Sequence, residues 1–269
     1  MSPNGRLRFS PCWATRAVPE LAEAIAELAR TETLLVALDF DGTLAPLVDD
    51  PADARALPEA QQAILALLDA PRTRVALISG RAMASLVEVS GAPDRVLLSG
   101  SHGVEVRLDS EPVLTLTADE TGRVARLGEV LQAVVGQFDE VWIEVKPAGF
   151  AMHTRLASAE DARTAVRDAL AAVAVLGDLT IRRGSDVLEF SVRSTNKGDA
   201  LERLREHSGA TAVFFAGDDV TDEDAFAALR PQDLGLKCGT GPTRAAFSVT
   251  GLPEVAEVLH ELATKRAHH

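Results

Sequence analysis

The stretch that decides the fold is Leu34-Leu35-Val36-Ala37-Leu38-Asp39-Phe40-Asp41-Gly42-Thr43. Its five consecutive apolar residues are typical of a strand that is buried on both faces of a sheet. The run ends at two carboxylates and a glycine, so the acidic pair is expected at the carboxyl end of that strand. Ligands bind at this edge in open α/β sheets. The stretch therefore predicts a central strand with a ligand site at its end.

The spacing of Asp39 and Asp41 favours shared chemistry. Residues two apart in an extended segment point to the same side, so both carboxylates can reach one substrate atom and one metal ion. Two carboxylates that lie close together repel each other unless a cation or a proton lies between them, which favours a divalent metal. A plain turn is the competing interpretation, because Asp-Gly is a common turn pair. The stretch alone leaves both interpretations open.

Composition excludes several classes of protein. The chain has 269 residues, of which 46% are hydrophobic, enough for one large domain or for a core with a smaller inserted domain. Its 27 basic and 40 acidic residues give a net charge of −13, which would repel a phosphate backbone, so nucleic acid is not an expected partner. No apolar run reaches the length of a membrane span and the first residues lack the order of a signal peptide, which predicts a cytoplasmic protein without membrane contact. The two cysteines, Cys12 and Cys238, form neither a disulfide framework nor a metal cluster.

The order of apolar segments predicts an α/β fold with a doubly wound, Rossmann-like parallel sheet and an inserted α+β cap domain. Buried strands are expected near 34–38, 75–78, 96–98, 212–215 and 234–238, and helices alternate with them. One such helix begins at Pro58 and is expected to turn Ile64, Leu65 and Leu68 inward. Two helix-strand-strand units in tandem occupy the middle of the chain, and Ser158 with Asp161 is predicted to cap the start of the second helix. The predicted division is a loose N-terminal arm over 1–18, a core over 19–109 and 187–269, and a cap over 110–186.

Further polar residues fall where this sheet predicts a site. Ser79 follows the second strand with a hydroxyl and a glycine amide suited to a phosphate oxygen, although Ser-Gly is also ordinary turn chemistry. Lys197 begins a helix, where a cation is disfavoured, so a surface role explains it poorly. Asp218 and Asp219 follow another buried strand and could complete an oxygen-ligand set around Mg²⁺. A capping box of Thr221 with Asp224 accounts for only part of that acidic cluster.

Together and in this order, these motifs resemble the haloacid dehalogenase-like superfamily of phosphotransferases, which also implies a hydrolase core. The resemblance implies that Asp39 is the nucleophile and that Ser79 and Lys197 hold the phosphoryl group. It implies a Mg²⁺ site formed by Asp39, the Asp41 carbonyl and Asp218, with Asp219 as a neighbouring carboxylate. Asp39 would form an aspartyl-phosphate that water then cleaves, while Asp41 would act as general acid and then general base.

A narrower resemblance extends over nearly the whole chain beyond the arm. Four segments are similar to trehalose-6-phosphate phosphatases: 100–105, 144–155, 217–224 and 239–241. The resemblance implies that Glu144, Lys146 and Glu189 bind sugar hydroxyls. It also implies that four further side chains lie near the site when the cap is closed, namely Arg81, His102, His153 and Arg155. The competing interpretation of Glu144 and its neighbours is a solvated sheet face with an ion pair.

Two positions depart from the pattern of these phosphatases. Ser185 stands where the family often has lysine, and Thr154 replaces an aromatic residue. Some sugar contacts are therefore open, whereas the catalytic residues are unaffected.

The resulting prediction is a Mg²⁺-dependent phosphatase that converts trehalose 6-phosphate to trehalose and phosphate. The predicted partner is the small-molecule sugar phosphate, with functional coupling to a trehalose-6-phosphate synthase and a monomeric state. The alternatives are another capped sugar phosphatase, acting on a sucrose phosphate or a mannosyl phosphate compound, a phosphomutase, and a catalytically silent sugar-phosphate-binding regulatory domain. The cap is expected to close on the core by hinges near 106–112 and 184–188.

Overall fold

The computed structural model describes residues 20–109, 116–184 and 186–269. The predicted arm over residues 1–18, together with Cys12 and Ser185, lies outside the described residues. Among the described helices, none has both the length and the apolar character needed to cross a membrane.

The described residues form eleven strands and eight α-helices. The strands are β1 (Leu34–Leu38), β2 (Thr73–Ile78), β3 (Leu97–Gly100), β4 (Glu105–Arg107), β5 (Trp142–Lys146), β6 (Gly149–His153), β7 (Thr180–Arg183), β8 (Val187–Ser191), β9 (Ala212–Gly217), β10 (Leu234–Cys238) and β11 (Phe247–Val249). The helices are α1 (Leu21–Leu28), α2 (Pro58–Asp69), α3 (Met83–Ser90), α4 (Ala118–Val135), α5 (Ala159–Val173), α6 (Lys197–Ser208), α7 (Asp222–Ala227) and α8 (Leu252–Arg266).

The larger sheet has seven strands in the order β11-β10-β9-β1-β2-β3-β4. All pairs are parallel except β3 with β4. Strand β1 lies at the centre, and its side chains alternate between two hydrophobic cores because successive residues of a strand face opposite ways. Leu34, Val36 and Leu38 pack on the side of α1, α2, α3 and α8. Leu35 and Ala37 pack on the side of α6 and α7, so the predicted doubly wound sheet is confirmed.

The register of the larger sheet gathers the polar residues at one edge. Leu38, the last residue of β1, pairs with Leu77 of β2 and with Ala216 of β9. The carboxyl ends of these three parallel strands therefore meet, and the segments that begin at Asp39, Ser79 and Asp218 leave the sheet side by side.

The smaller sheet has four antiparallel strands in the order β5-β6-β8-β7. Helices α4 and α5 cover it, and their apolar faces form a separate core that includes Leu127, Leu131, Ala165 and Ala169. We call β5 to β8 with α4 and α5 the four-stranded unit. The predicted Ser158 cap of α5 is present, because its hydroxyl accepts a hydrogen bond from the Asp161 amide at 3.1 Å.

Several predicted details differ from the structure. In α2 the buried residues include Ile64 and Leu67, whereas Leu65 is exposed and Leu68 is half-buried. The hydrophobic stripe of α2 is therefore turned slightly from the predicted one. Strand β8 pairs with β6 and β7 in the smaller sheet, although the predicted core resumes at residue 187. Residues 110–112 and 185 of the predicted hinges lie outside the described residues.

Candidate active site

A buried lysine joins two carboxylates at the centre of the site. The Nζ atom of Lys197 lies 2.7 Å from Oδ1 of Asp39 and 2.6 Å from Oδ1 of Asp222. Lys197 is the first residue of α6, Asp39 directly follows β1 and Asp222 begins α7. Asn196 and Asp199 form the capping box at the start of α6. Lys197 is therefore not needed to cap the helix, and its side chain points inward.

Burial dominates the electrostatics of this cluster. Desolvation raises the pKa of Asp39 well above its usual range, and the nearby charge of Lys197 only partly opposes that shift. Burial by itself would lower the pKa of Lys197, but the charges of Asp39 and Asp222 outweigh it and raise that pKa. Lys197 therefore stays protonated and can contribute a fixed positive charge.

Asp218 completes an acidic cluster with Asp39 and Asp222. Carboxylate oxygens of these three residues lie within 4.8 Å of one another. Thr43 donates a hydrogen bond to Oδ1 of Asp218 at 3.0 Å, which fixes the orientation of that carboxylate. Burial raises the pKa of Asp218, and the Thr43 hydrogen bond lowers it by a smaller amount.

Two glycines leave room for these carboxylates. Gly42 has a φ of +83°, and a Cβ atom at this position would lie 2.1 Å from Oδ2 of Asp218. A Cβ atom on Gly217 would lie 2.3 Å from Cγ of Asp222. Asp41 and Gly42 thus lie in a turn, as the competing interpretation held. The turn also serves the acidic cluster, because a residue with a side chain at position 42 would collide with the Asp218 carboxylate.

The acidic cluster fits a divalent cation. Three carboxylates face a single lysine, so negative charge exceeds positive charge, and oxygen-only donors are the ligands that hard cations prefer. Asp39, Asp218 and Asp222 could hold a metal ion.

The participation of Asp219 in the metal site stays a prediction. Its side chain is exposed, and it is absent from the described group of converging carboxylates. Asp222 takes the third place instead, and its Oδ2 accepts hydrogen bonds from the amides of Asp218 and Asp219 at 2.9 and 2.8 Å.

The predicted capping box of Thr221 is also absent. The Thr221 backbone is already helical, with φ −68° and ψ −19°, and its side chain makes no capping hydrogen bond. A capping side chain needs an extended backbone at that position, and the Asp222 carboxylate satisfies the preceding amides instead.

Asp41 lies beside Arg81 rather than inside the acidic cluster. The Nε and Nη2 atoms of Arg81 donate to the two carboxylate oxygens of Asp41, each at 2.6 Å. The carboxylate of Asp41 is thereby oriented by a two-point contact. Ser79 lies next to this pair, buried, and its hydroxyl accepts a hydrogen bond from the Arg81 amide at 3.1 Å. The participation of the Asp41 carbonyl in metal binding stays a prediction.

His102 occupies a turn with a left-handed backbone. Ser101, His102 and Gly103 have φ values of +50°, +53° and +95°. Such values are costly for residues other than glycine, and they persist where the surroundings enforce them. Here Glu105 accepts hydrogen bonds from the Ser101 hydroxyl at 2.9 Å and from the Met83 amide at 2.8 Å.

The turn directs His102 towards the four-stranded unit. Its Nε2 atom lies 3.5 Å from Oε2 of Glu189 on β8. The absence of a side chain on Gly80 is required there, because a Cβ atom would lie 2.7 Å from the His102 ring.

Glu144, Lys146 and His153 form a polar group on the smaller sheet. Glu144 lies 2.7 Å from Nζ of Lys146 and 3.0 Å from Nε2 of His153. The His153 hydrogen bond, followed by the Lys146 contact, lowers the pKa of Glu144 to about 2 despite the opposing effect of burial. Trp142 stacks on the His153 ring with centroids 5.1 Å apart, which fixes the ring plane. The competing interpretation predicted an ion pair on a sheet face, and Glu144 and Lys146 do form one. This face of the sheet, however, borders a cleft.

Arg155 does not join this polar group. Its side chain is exposed and donates to the carbonyl oxygen of Asp49 at 3.3 Å. Asp49 lies in the loop after β1, so Arg155 links the four-stranded unit to the larger-sheet part of the chain. Thr154, which replaces the aromatic residue, is buried and its hydroxyl donates to the Asp186 carbonyl at 3.2 Å.

A second buried lysine was missed by sequence reasoning. The Nζ atom of Lys237 on β10 donates a hydrogen bond to the carbonyl oxygen of Asp218. Its signal was a lysine inside the apolar strand Leu234–Cys238, in a chain with only four lysines. Lys237 therefore fixes the backbone of the loop that carries Asp218.

Most of the predicted site residues line one cleft between the larger sheet and the four-stranded unit, with a volume of about 1250 Å³. The predicted residues that line it are Asp39, Asp41, Ser79, Arg81, His102, Glu144, Lys146, His153, Glu189, Lys197, Asp218 and Asp219. Arg155 is the one predicted residue that does not line the cleft as described. A volume of this size can enclose a disaccharide-sized ligand.

The parallel sheet, the carboxylates and lysine at its carboxyl edge and the smaller antiparallel sheet across the cleft place the chain in the haloacid dehalogenase-like class of α/β proteins. Comparison with known proteins narrows this class to one family. Residues 37–259 match the family model described as trehalose-phosphatase, and the chain belongs to that family.

Individual relatives agree with this assignment. The chain is 32% identical over 236 residues to a trehalose-6-phosphate phosphatase of Escherichia coli, covering 84% of this chain and 85% of that protein. It is 33% identical over 276 residues to a trehalose-phosphate phosphatase of Mycobacterium leprae, covering 92% of this chain and 63% of that protein. The fold is similar to the C-terminal domain of a Candida albicans trehalose-6-phosphate phosphatase, with a TM-score of 0.76, 21% identity and coverage of 91% and 97%. The predicted fold class and family are thus confirmed.

Proposed function

We propose that this protein hydrolyses trehalose 6-phosphate to trehalose and phosphate through an aspartyl-phosphate at Asp39. The observation that carries the proposal is the convergence of Asp39, Lys197 and Asp218 at the carboxyl edge of the sheet, in a chain of the trehalose-phosphatase family. The names of the relatives described above suggest trehalose 6-phosphate as the substrate.

The chemistry follows from the residues that face the cleft. An oxygen of Asp39 attacks phosphorus in line, and the bond between phosphorus and the sugar oxygen breaks. Asp41 gives a proton to the departing sugar oxygen. In the second step water attacks phosphorus, Asp41 takes a proton from that water, and phosphate and free Asp39 are released.

Lys197 and Ser79 serve the phosphoryl group in this proposal. The fixed charge of Lys197 offsets the negative charge that gathers on the phosphoryl oxygens, and such preorganised charge makes a large contribution to catalysis. The Ser79 hydroxyl, buried beside Asp41 and Arg81, is available to one phosphoryl oxygen.

The fit of three carboxylates supports Mg²⁺ as the cofactor. Asp39, Asp218 and Asp222 would hold it, and the ion would supply further neutralisation of phosphoryl charge when bound. Lys237 and Thr43 fix the Asp218 backbone and carboxylate, so they support the same site.

We further propose that the four-stranded unit is a cap that recognises the sugar. Glu144, Lys146 and Glu189 line its side of the cleft. Exchange of the Glu144–Lys146 ion pair and of the Glu189–His102 contact for contacts with sugar hydroxyls would bind trehalose. The cap would include β8 and end after residue 191, because β8 belongs to the smaller sheet. A cytoplasmic location, a monomeric state and functional coupling to a trehalose-6-phosphate synthase stay predictions.

Phosphate release from a panel of sugar phosphates tests the proposal. We expect trehalose 6-phosphate to be cleaved with a kcat/KM at least about 10-fold above sucrose 6-phosphate, glucose 6-phosphate and mannosyl phosphate compounds, because discrimination by a few sugar contacts is worth this much. The Asp39→Asn variant serves as the control and should release none. Preference for another sugar phosphate would contradict the substrate, and no release by the wild-type protein would favour the catalytically silent domain.

A further inference from the structure

Each nitrogen atom of the Arg81 guanidinium group has a hydrogen-bond partner. Its Nε and Nη2 atoms contact the two carboxylate oxygens of Asp41 at 2.6 Å, and only 12% of its side chain is exposed. Its Nη1 atom donates to the Pro51 carbonyl at 2.7 Å and to the Ser85 hydroxyl at 3.2 Å. Its central carbon lies 5.9 Å from the centroid of the Phe40 ring.

These contacts form two groups with different structural effects. The contacts to Pro51, Ser85 and Phe40 are made to the segment between β1 and α2, to α3 and to a buried side chain that follows β1, so they anchor the guanidinium in addition to Asp41. The contact to Asp41 uses the planar fork that Nε and Nη2 of the guanidinium form. This fork matches the two oxygens of a carboxylate and fixes the plane of the carboxylate. An anchored fork therefore sets the orientation of the Asp41 carboxylate.

Orientation is what the proposed proton transfer needs. A group that is held in a reactive geometry avoids the entropy cost of finding it, and small displacements of catalytic groups are costly. The Asp41 side chain is partly exposed, with 28% of its surface accessible, so packing alone does not hold it.

We infer that Arg81 is a positioning residue that acts through Asp41 rather than a ligand of the substrate phosphate or sugar. The inference rests on the proposed function, because it concerns the proton that Asp41 gives to the sugar oxygen. It revises the sequence-based expectation that Arg81 is a substrate-binding residue.

Leaving-group dependence tests the inference. A sugar alkoxide leaves only with a proton, whereas the nitrophenolate of p-nitrophenyl phosphate leaves without one. The kcat/KM values include only the steps up to departure of the leaving group, so they exclude the later role of Asp41 as a base. They should be measured for both esters with the wild-type protein and the Arg81→Ala, Asp41→Asn and double variants.

We expect Arg81→Ala to lower kcat/KM by roughly 10²-fold for trehalose 6-phosphate, at the low end of the range for general acid catalysis, and by less than about 5-fold for p-nitrophenyl phosphate. The double variant should lose no more than Asp41→Asn alone, because both changes remove one function. Equal losses on both esters, or additive losses in the double variant, would mean that Arg81 binds the phosphate or only supports the fold. Either result overturns the inference.

Two further variants complete the design. Arg81→Lys keeps the charge but loses the fork, so it should recover less than about a tenth of the lost kcat/KM; full recovery would overturn the orienting role. Arg95→Ala removes an exposed arginine that pairs with Asp69 at 3.0 Å, and it should leave both esters unaffected. A wild-type protein that cleaves p-nitrophenyl phosphate but not trehalose 6-phosphate would count against the proposed substrate, and the same comparison would then use the sugar phosphate that it does cleave.

Discussion

At the scale of single residues, the site depends on which carboxylates turn inward. Asp222 rather than Asp219 joins Asp39 and Asp218, and it does so because its side chain also accepts the two amides that precede α7. One carboxylate thus shapes the loop and contacts Lys197. The site was predictable from the residue types, but the choice between neighbouring acids depends on one backbone conformation at Thr221, which sequence does not reveal.

Gly42 provides a prediction at this scale. In Gly42→Ala the new methyl group would displace the Asp218 carboxylate, since only 2.1 Å separates it from Oδ2. We expect the Mg²⁺ concentration for half-maximal phosphate release to rise at least about 10-fold, as it does when groups that orient metal ligands are lost.

Gly209→Ala is the matched control for backbone strain. Gly209 also has a positive φ, +61°, but an added Cβ atom has no neighbour there within 4 Å. It should lose stability, by about 1 kcal/mol, without a change in Mg²⁺ dependence. Equal Mg²⁺ dependence of the two variants would show that Gly42 matters only for its φ angle.

At the scale of helices and strands, patterns of apolar residues predict most of the fold. Five buried residues in a row gave β1, and Ser158 with Asp161 gave the start of α5. Side chains that make contacts between elements were harder to predict. Lys237 lies in an otherwise apolar strand, and Arg155, expected near the closed site, contacts the Asp49 carbonyl. Such contacts depend on distances between elements that are far apart in sequence.

The start of α4 yields a prediction of pH dependence. Glu120 contacts Arg193 at 2.8 Å and closes a capping box with Thr117. The Arg193 hydrogen bond, with help from the Thr117 amide, lowers the pKa of Glu120 from 4.5 to about 2. A lowered pKa stabilises the folded state fully above the unfolded value, and this contribution is lost as the pH falls towards the folded value.

The Glu120→Gln variant should therefore be less stable than wild type by a constant amount above pH 5, and the difference should shrink between about pH 4.5 and pH 2. Urea unfolding at a series of pH values measures this difference. Glu129→Gln is the control, since Glu129 is exposed on the same helix and pairs with no charged residue in the described part of the chain. A difference that grows as the pH falls would refute the assigned direction of the shift.

At the scale of the whole molecule, the cleft lies between two separately packed units. The residues proposed to bind the sugar belong to the smaller sheet, whereas Asp39 and Ser79, proposed to act on the phosphoryl group, directly follow strands of the larger one. In the proposed function neither unit encloses the substrate alone, so sugar recognition and phosphoryl chemistry would occur together only when the two units approach each other. The sequence predicted both units, but the predicted domain boundary at residue 187 separates β8 from the smaller sheet to which it belongs.

Closure of the cap is the prediction at this scale. Addition of Mg²⁺ with a phosphate mimic should reduce the radius of gyration in small-angle X-ray scattering, because the smaller unit moves towards the larger one. The Asp39→Asn variant without ligand provides the reference for the open form. An unchanged radius on ligand addition would argue against hinge closure.

The central claim is that Asp39 receives the phosphoryl group beside a cation held by the acidic cluster. A crystal structure of the wild-type protein with Mg²⁺ and beryllium fluoride, a mimic of a phosphoryl group on a carboxylate, tests this claim most directly. We expect beryllium to be bonded to an oxygen of Asp39, with Lys197 contacting a fluoride and the cation held by Asp218 and Asp222. Beryllium fluoride on a different residue, or a cation outside this cluster, would contradict it.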